Sequence, residues 1–260
     1  MVSRKTTKLI KSLQQKKYRY QHRLFLVEGA KSVRELLMSN FSVKTLIATK
    51  VFLQQHQDLL GRQSFDSQPI ETDEATLSSL GSFKNNNAAL AIVTLPIVTS
   101  QGLTTQGYTI ALDDIRDPGN LGTIIRIADW YGIPQIVCSS ETTDAYAPKV
   151  VSASMGSFLR VKIAYGDLAR FLSTASVPVY GAILDRGESV HRLSAQEKGG
   201  IILLGNESAG VQSNLTAFID QYIHIPRYGQ AESLNVGVAA AIICDNMMRL
   251  SNARSFGNRL

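Results

Sequence analysis

The sequence predicts an α/β protein. From about residue 108 it predicts a mostly parallel sheet with helices on both faces, preceded by a small α/β unit. Three observations carry this. The runs "YTIALDDI", "QIVCSS", "VPVYGAIL", "GIILLGN" and "YIHIP" are continuous apolar strands with helical stretches between them, the pattern of strands buried on both faces. The front of the chain mixes shorter strands and helices without that regular alternation. The whole has 260 residues, 44% of them hydrophobic and 18% charged, enough for one large domain or a medium one with a smaller partner.

In the front unit, "LFLVEG" (24–29) is a strand ending in Gly29. "AKSVRELLMSN" (30–40) is helical, with Val33, Leu36 and Leu37 on one face. "VKTLIAT" (43–49) is a second strand, and "AALAIVTL" (88–95) is a buried one. "TDEATLSSL" (72–80) opens as a helix capped by Thr72. The Pro, Thr, Ser and Gly of "PIVTSQG" then break the pattern. The expected organisation is a front domain over 1–95, a linker over 96–107 and a second domain over 108–260.

The net charge of +6 is unevenly placed. Up to Arg23 there are eight Lys or Arg and no Asp or Glu, with Tyr18 and Tyr20 interleaved. Such a stripe suits a polyanion with stackable bases, slightly ahead of the alternative of a solvated helix face. Lys16, Lys17, Arg19 and Arg23 are the candidate nucleic-acid contacts. Cys138 and Cys244 sit in apolar runs without a CxxC pair, which predicts inert packed thiols in a reducing compartment. No apolar run is long enough for a membrane span and no signal peptide is evident, so the expected location is cytoplasmic. His22, His56, His191 and His224 are scattered, so no metal is expected.

Three loops at strand ends carry the candidate chemistry, where parallel sheets place ligands. The first is "RDPGNLGTIIRIADWYG" (116–132). Asn120 is the candidate helix N-cap, and Leu121, Ile124, Ile125 and Ala128 form the buried stripe. Thr123, Arg126 and Trp130 fall on another face. Arg126 there either reaches an anion or is a surface arginine paired with Asp129 or another acid. The second loop is "GNESAGV" (205–211). Gly205 and Gly210 have phosphate-loop spacing, but Val211 and Gln212 stand where Lys and Ser/Thr are required. That excludes the usual NTPase loop, and no GxGxxG occurs. Glu207 is a candidate general base, sugar ligand or turn residue. The third loop is "RYGQAESLN" (227–235). It places Ser233 and Asn235 before a helix of small residues, apolar all round and therefore expected to be buried.

Together, "NLGTIIRIADWYG", "LLGNESAGV" and "IPRYGQAESLNVGVAAAI" closely resemble the three motifs of the SpoU (TrmH) family of RNA ribose 2'-O-methyltransferases, in the SPOUT superfamily. The resemblance covers about 108–250, and "FLVEG" before a helix looks like that family's substrate-binding domain. It implies a deep trefoil knot, S-adenosylmethionine as cofactor, RNA as substrate with ribosomal RNA preferred to transfer RNA, and a homodimer whose active sites draw on both chains. It places catalytic roles on Asn120, Arg126, Glu207, Ser233 and Asn235, and cofactor contacts on Gly205, Ile225 and Leu234. Departures are small: "ADWYG" closes the first motif, Arg227 replaces a common methionine, Gly237 a frequent serine, and "NNN" (85–87) a more usual glycine-containing segment. The alternatives are a non-catalytic RNA-binding protein with the same fold and, more remotely, an unrelated nucleotide-using α/β enzyme.

Overall fold

A computed structural model describes residues 2–63, 65–83, 85–97, 107–184, 186–193 and 199–257. The chain forms two compact units. Most of the expected linker, 98–106, lies outside the described residues.

The first unit comprises the chain up to Ile97 together with Asp144–Leu159. Its elements run α1 (Arg4–Ser12), α2 (Lys16–His22), β1 (Leu24–Glu28), α3 (Ala30–Leu37), β2 (Val43–Ala48), α4 (Lys50–Gln55), α5 (Gln57–Leu60), β3 (Ile70–Glu71), α6 (Glu74–Leu80) and β4 (Ala89–Thr94). The sheet has the order β1-β4-β2-β3, with β4 antiparallel to both β1 and β2. One face buries Leu26, Ile47, Leu90 and Ile92 against Ile10, Leu13 and the α6 residue Leu77. Helix α6 is capped by Asp73, whose carboxylate accepts from the Thr76 amide at 2.6 Å, rather than by Thr72.

Asp144–Leu159 falls within the span that the sequence pattern groups with the second domain, and it packs inside the first unit. The reason is aromatic and ionic. Phe25 meets Tyr146 at 4.8 Å and Phe158 at 5.8 Å between ring centroids, and Phe41 meets Phe158 at 6.0 Å. Arg19 donates through Nε and Nη2 to Asp144 Oδ2 at 2.9 and 2.6 Å, and through Nη1 to the carbonyls of Leu13 and Gln14.

This corrects the expectation that Arg19 contacts RNA. Its side chain is 3% exposed and that of Asp144 4%, and each of its three nitrogens is engaged. Lys16, Lys17 and Arg23 do lie exposed. Removing one partner of a buried pair strands the other charge. Arg19→Ala is therefore expected to destabilise the fold by about 3–5 kcal/mol, read as a fall in the urea midpoint.

The second unit holds β5 (Gly107–Leu112), α7 (Pro118–Trp130), β6 (Gln135–Cys138), β7 (Lys162–Tyr165), α9 (Leu168–Ser173), β8 (Val179–Ala182), β9 (Glu188–Ser189), β10 (Gly199–Leu204), β11 (Gln221–His224) and α10 (Val236–Gly257). Helix α8 (Pro148–Ala153) belongs to the segment in the first unit. The seven strands have the order β7-β6-β5-β10-β8-β11-β9, and every neighbouring pair is parallel. All six residues of β10 are buried, as befits a strand with neighbours on both edges and helices on its faces. The five expected strands are all present. The four-residue β7 and the two-residue β9 are additional.

Burial pushes the Cys244 thiol up to about 12 and the Cys138 thiol higher, so neither carries a thiolate near neutrality. Among the described residues, no helix is long and apolar enough to cross a membrane.

Candidate active site

The three loops arise at the carboxyl ends of β5, β10 and β11. After β5 the chain enters α7. Asp117, not Asn120, caps this helix: its carboxylate accepts from the Asn120 amide at 2.8 Å. Pro118 at the first helical position explains the choice, because a proline with no N–H to satisfy favours that place. Asn120 lies inside the first turn with its side-chain amide free to reach outward. The expected stripe Leu121, Ile124, Ile125 and Ala128 is fully buried.

Asn120 Nδ2 donates to Glu207 Oε1 at 2.5 Å, and Asn235 Nδ2 donates to Asn120 Oδ1 at 2.8 Å. Asn235 Oδ1 in turn accepts from the amides of Gly237 and Val238 at 2.9 and 3.3 Å, so Asn235 caps α10 as expected. One hydrogen-bonded chain thus joins the three loops: Glu207, Asn120, Asn235, helix N-terminus. Each amide is used as both donor and acceptor, which fixes its orientation.

Beside this chain lies a cavity of about 490 Å³ whose walls include Gly205, Glu207, Ile225, Ser233 and Leu234. The volume is in the range of small-molecule sites. The walls are apolar at Leu204, Ile225, Leu234 and Ile243, with Glu207, Glu232 and Ser233 at polar points. Gly205 is required by close approach: a Cβ there would stand 2.2 Å from Gly210 C and 2.3 Å from Val211 N. The loop 205–211 is folded back by mutual backbone bonds between Asn206 and Gly210 at 3.0 and 2.8 Å. His224, also in the wall, has a buried Nδ1 with no hydrogen-bond partner. An apolar slot with backbone at a glycine cradle and an unsatisfied polar atom suits an adenosine-sized ligand bearing a polar tail.

Arg126 stands apart. It is exposed, does not line the cavity, and has no hydrogen-bond or ion-pair partner among the described residues. Asp129 is held instead by Arg160, at 2.7 Å from Nη2, so it is not the partner of Arg126. The structure thus brings together Asn120, Glu207 and Asn235 by hydrogen bonds, and Gly205, Glu207, Ile225, Ser233 and Leu234 around one cavity.

Helix α10 is not buried all round. Val236, Ala240, Ile243, Cys244 and Met247 face inward, while Val238 is 48% exposed and Asp245 is exposed. On α7, Trp130 is 82% exposed. The two helices pack together, with Tyr131 donating to Asp245 at 3.2 Å. The small-residue stretch is explained by this packing, since a Cβ on Gly237 would already meet Thr123 at 3.1 Å.

Comparison with known proteins decides the family. Residues 107–245 match the SpoU rRNA Methylase family model, more than half of the chain. The chain belongs to the SpoU rRNA methylase family. Residues 4–91 match the MRM3-like substrate binding domain. A relative of this SpoU chain is the 23S rRNA (guanosine(2553)-2'-O)-methyltransferase RlmP of Bacillus subtilis, 32% identical over 236 residues, which are 90% of this chain and 92% of that protein. An AdoMet-bound rRNA methyltransferase from Sinorhizobium meliloti superposes with a TM-score of 0.86 at 30% identity, over 96% of this chain and 97% of that one. AviRb from Streptomyces viridochromogenes, also solved with AdoMet, shares the SpoU fold with a TM-score of 0.82 at 23% identity, over 95% and 98% of the two chains.

Two further features brace this SpoU site. Asp113 is wholly buried at the end of β5 and accepts from the Gln212 backbone and side chain. Asn206 donates to the Asp114 carbonyl at 2.9 Å. Asn206 belongs to the second motif run, "GNESAGV", whereas Asp113 is marked only by the doubled aspartate in "LDDI".

Proposed function

We propose that this chain transfers a methyl group from S-adenosylmethionine to a ribose 2'-hydroxyl of ribosomal RNA. The single observation that carries the reading is the bonded chain Glu207–Asn120–Asn235 at the edge of the glycine-cradled cavity. A protein that merely bound RNA would not need three loops tied together around a small-molecule slot. Ribosomal RNA is supported by the Bacillus subtilis relative, whose named target is a 23S rRNA guanosine and which aligns with 90% of this chain.

Gly205, Ile225 and Leu234 would hold the cofactor, largely through backbone. When bound, the cofactor supplies an electrophilic methyl group on a sulfonium. The chain's own residues align the attacking oxygen with it and help remove the hydroxyl proton. Arg126 grips the phosphate beside the target ribose and stabilises negative charge developing on the 2'-oxygen. An arginine keeps its proton under ordinary conditions, so this role suits it better than that of base. Asn120 and Asn235 position ribose, phosphate and loop; Glu207 and Ser233 order the site and relay the proton.

Because Arg126 lies outside its own chain's cavity, we assign it to the cavity of a second copy. The exposed Trp130 and Val238, on two helices that pack together, supply apolar surface for that dimer. The deep knot implied by the motifs belongs to the same reading, as do exposed Lys16, Lys17 and Arg23 as contacts to the RNA backbone.

Calorimetric titration with S-adenosylmethionine separates this from a bare RNA-binding role. The enzyme reading predicts saturable heat at one site per chain. Absence of heat would leave only the binder.

A further inference from the structure

Resting on the methyltransferase reading, we infer that Asp113 and Gln212 are positioning residues that set Glu207 against Asn120. Asp113 is 0% exposed. It accepts from the Gln212 amide at 2.8 Å and from Gln212 Nε2 at 2.6 Å. Burial pushes its carboxyl up, partly opposed by the two bonds from Gln212. A buried carboxylate served only by amides is costly, and the apolar alternative would pack β5 more cheaply. What the carboxylate does is join two loops. Gln212 directly follows the 205–211 loop, and Asp113 directly precedes the turn that leads to Asp117 and Asn120.

The brace has a second strand. Asn206 Nδ2 donates to the Asp114 carbonyl, while its Oδ1 accepts from the amides of Ser208 and Ala209 at 2.9 and 3.2 Å. Asp114 takes a left-handed conformation, φ 57°, which is unfavourable for a non-glycine residue. The neighbouring backbone is over-determined: Asp113 N donates to the Leu204 carbonyl, Asp114 N to Ser139 Oγ at 3.0 Å and Ile115 N to Thr142 Oγ1 at 3.2 Å. Glu207 therefore sits between two anchors, Asn206 and Gln212, both fixed to residues 113–114. The 2.5 Å contact from Asn120 to Glu207 closes the rectangle. Loosening it by a fraction of an ångström costs catalytic alignment without removing any group that touches substrate.

The test is a double-mutant cycle on kcat with saturating S-adenosylmethionine and rRNA. Asp113→Ala and, separately, Gln212→Ala are each combined with Glu207→Ala. Gln212 is exposed, so its variant keeps the fold if Asp113→Ala does not. Each single brace variant is expected to lower kcat, Asp113→Ala by about 10- to 100-fold, and Asp113→Asn to restore it by bonding to a flipped Gln212 amide. In the Glu207→Ala background the brace variants are expected to add less than about threefold, because they act through Glu207. Losses that multiply in the double variants, or unchanged kcat in the folded single variants, would overturn the proposal. If the wild-type chain transfers no methyl group at all, the functional reading itself is what fails.

Discussion

Arg126→Ala is expected to lower methyl transfer by about 100- to 1,000-fold while leaving S-adenosylmethionine affinity unchanged. The size is that of removing one group aimed at charge developing in the transition state. Cofactor affinity is spared because Arg126 does not line the cavity. The second half of this prediction concerns which cavity Arg126 serves. Co-expressed Arg126→Ala and Glu207→Ala chains, each strongly impaired alone but still measurable, would form mixed dimers. If each site takes Glu207 from one chain and Arg126 from the other, every mixed dimer has one intact site. Random pairing then restores about a quarter of wild-type activity. If the two residues serve the same chain's site, mixing restores nothing.

Gly205→Ala is expected to weaken S-adenosylmethionine binding by about 10- to 100-fold. The added methyl group would meet the backbone of Gly210 and Val211, not a side chain that can swing away. The loop must open or the strand end must shift, at a cost of about 1–3 kcal/mol. If that cost falls on the bound conformation, it appears as the stated change in Kd. Opening the loop also disturbs the Asn206–Gly210 bridge that presents Glu207, so kcat falls with affinity. An unchanged Kd, measured by the same titration that detects the cofactor, would show that the close approach at Gly205 does not shape the site.

How far the sequence foretold this structure can be judged from particular residues. The buried stripe of α7 was legible because Leu121, Ile124, Ile125 and Ala128 repeat with the helical period. The parallel sheet was legible because its longer strands are apolar throughout. Asn120, Glu207 and Asn235 were legible through the motif resemblance, although only the fold shows that they bond to one another. Arg19 was not legible. Its neighbours Lys16 and Lys17 are solvated lysines of the same run, and its partner Asp144 is 125 positions away. Nothing local distinguishes a buried arginine from an exposed one.

The same limit hid the grouping of Asp144–Leu159 with the first unit, which depends on aromatic contacts from Phe25 and Phe41. The cap of α7 was misplaced for a different reason. Asp117 and Asn120 are both good capping types, and the decision rests on Pro118 between them. The strands β3 and β9, two residues each, carry too few residues for a period to register. Asp113 ends an apolar strand, where a carboxylate ordinarily marks the way out to solvent. Its burial depends on Gln212, which arrives from a loop nearly a hundred residues later.

The central claim is that this chain methylates a ribose 2'-oxygen in ribosomal RNA. The most direct measurement is transfer of label from methyl-labelled S-adenosylmethionine to purified unmodified rRNA, followed by mapping of alkali-resistant nucleotides. The account predicts label at a discrete 2'-O-methylated position with the wild-type chain and almost none with Arg126→Ala. Label on a base instead of the ribose, or full transfer by Arg126→Ala, would contradict it.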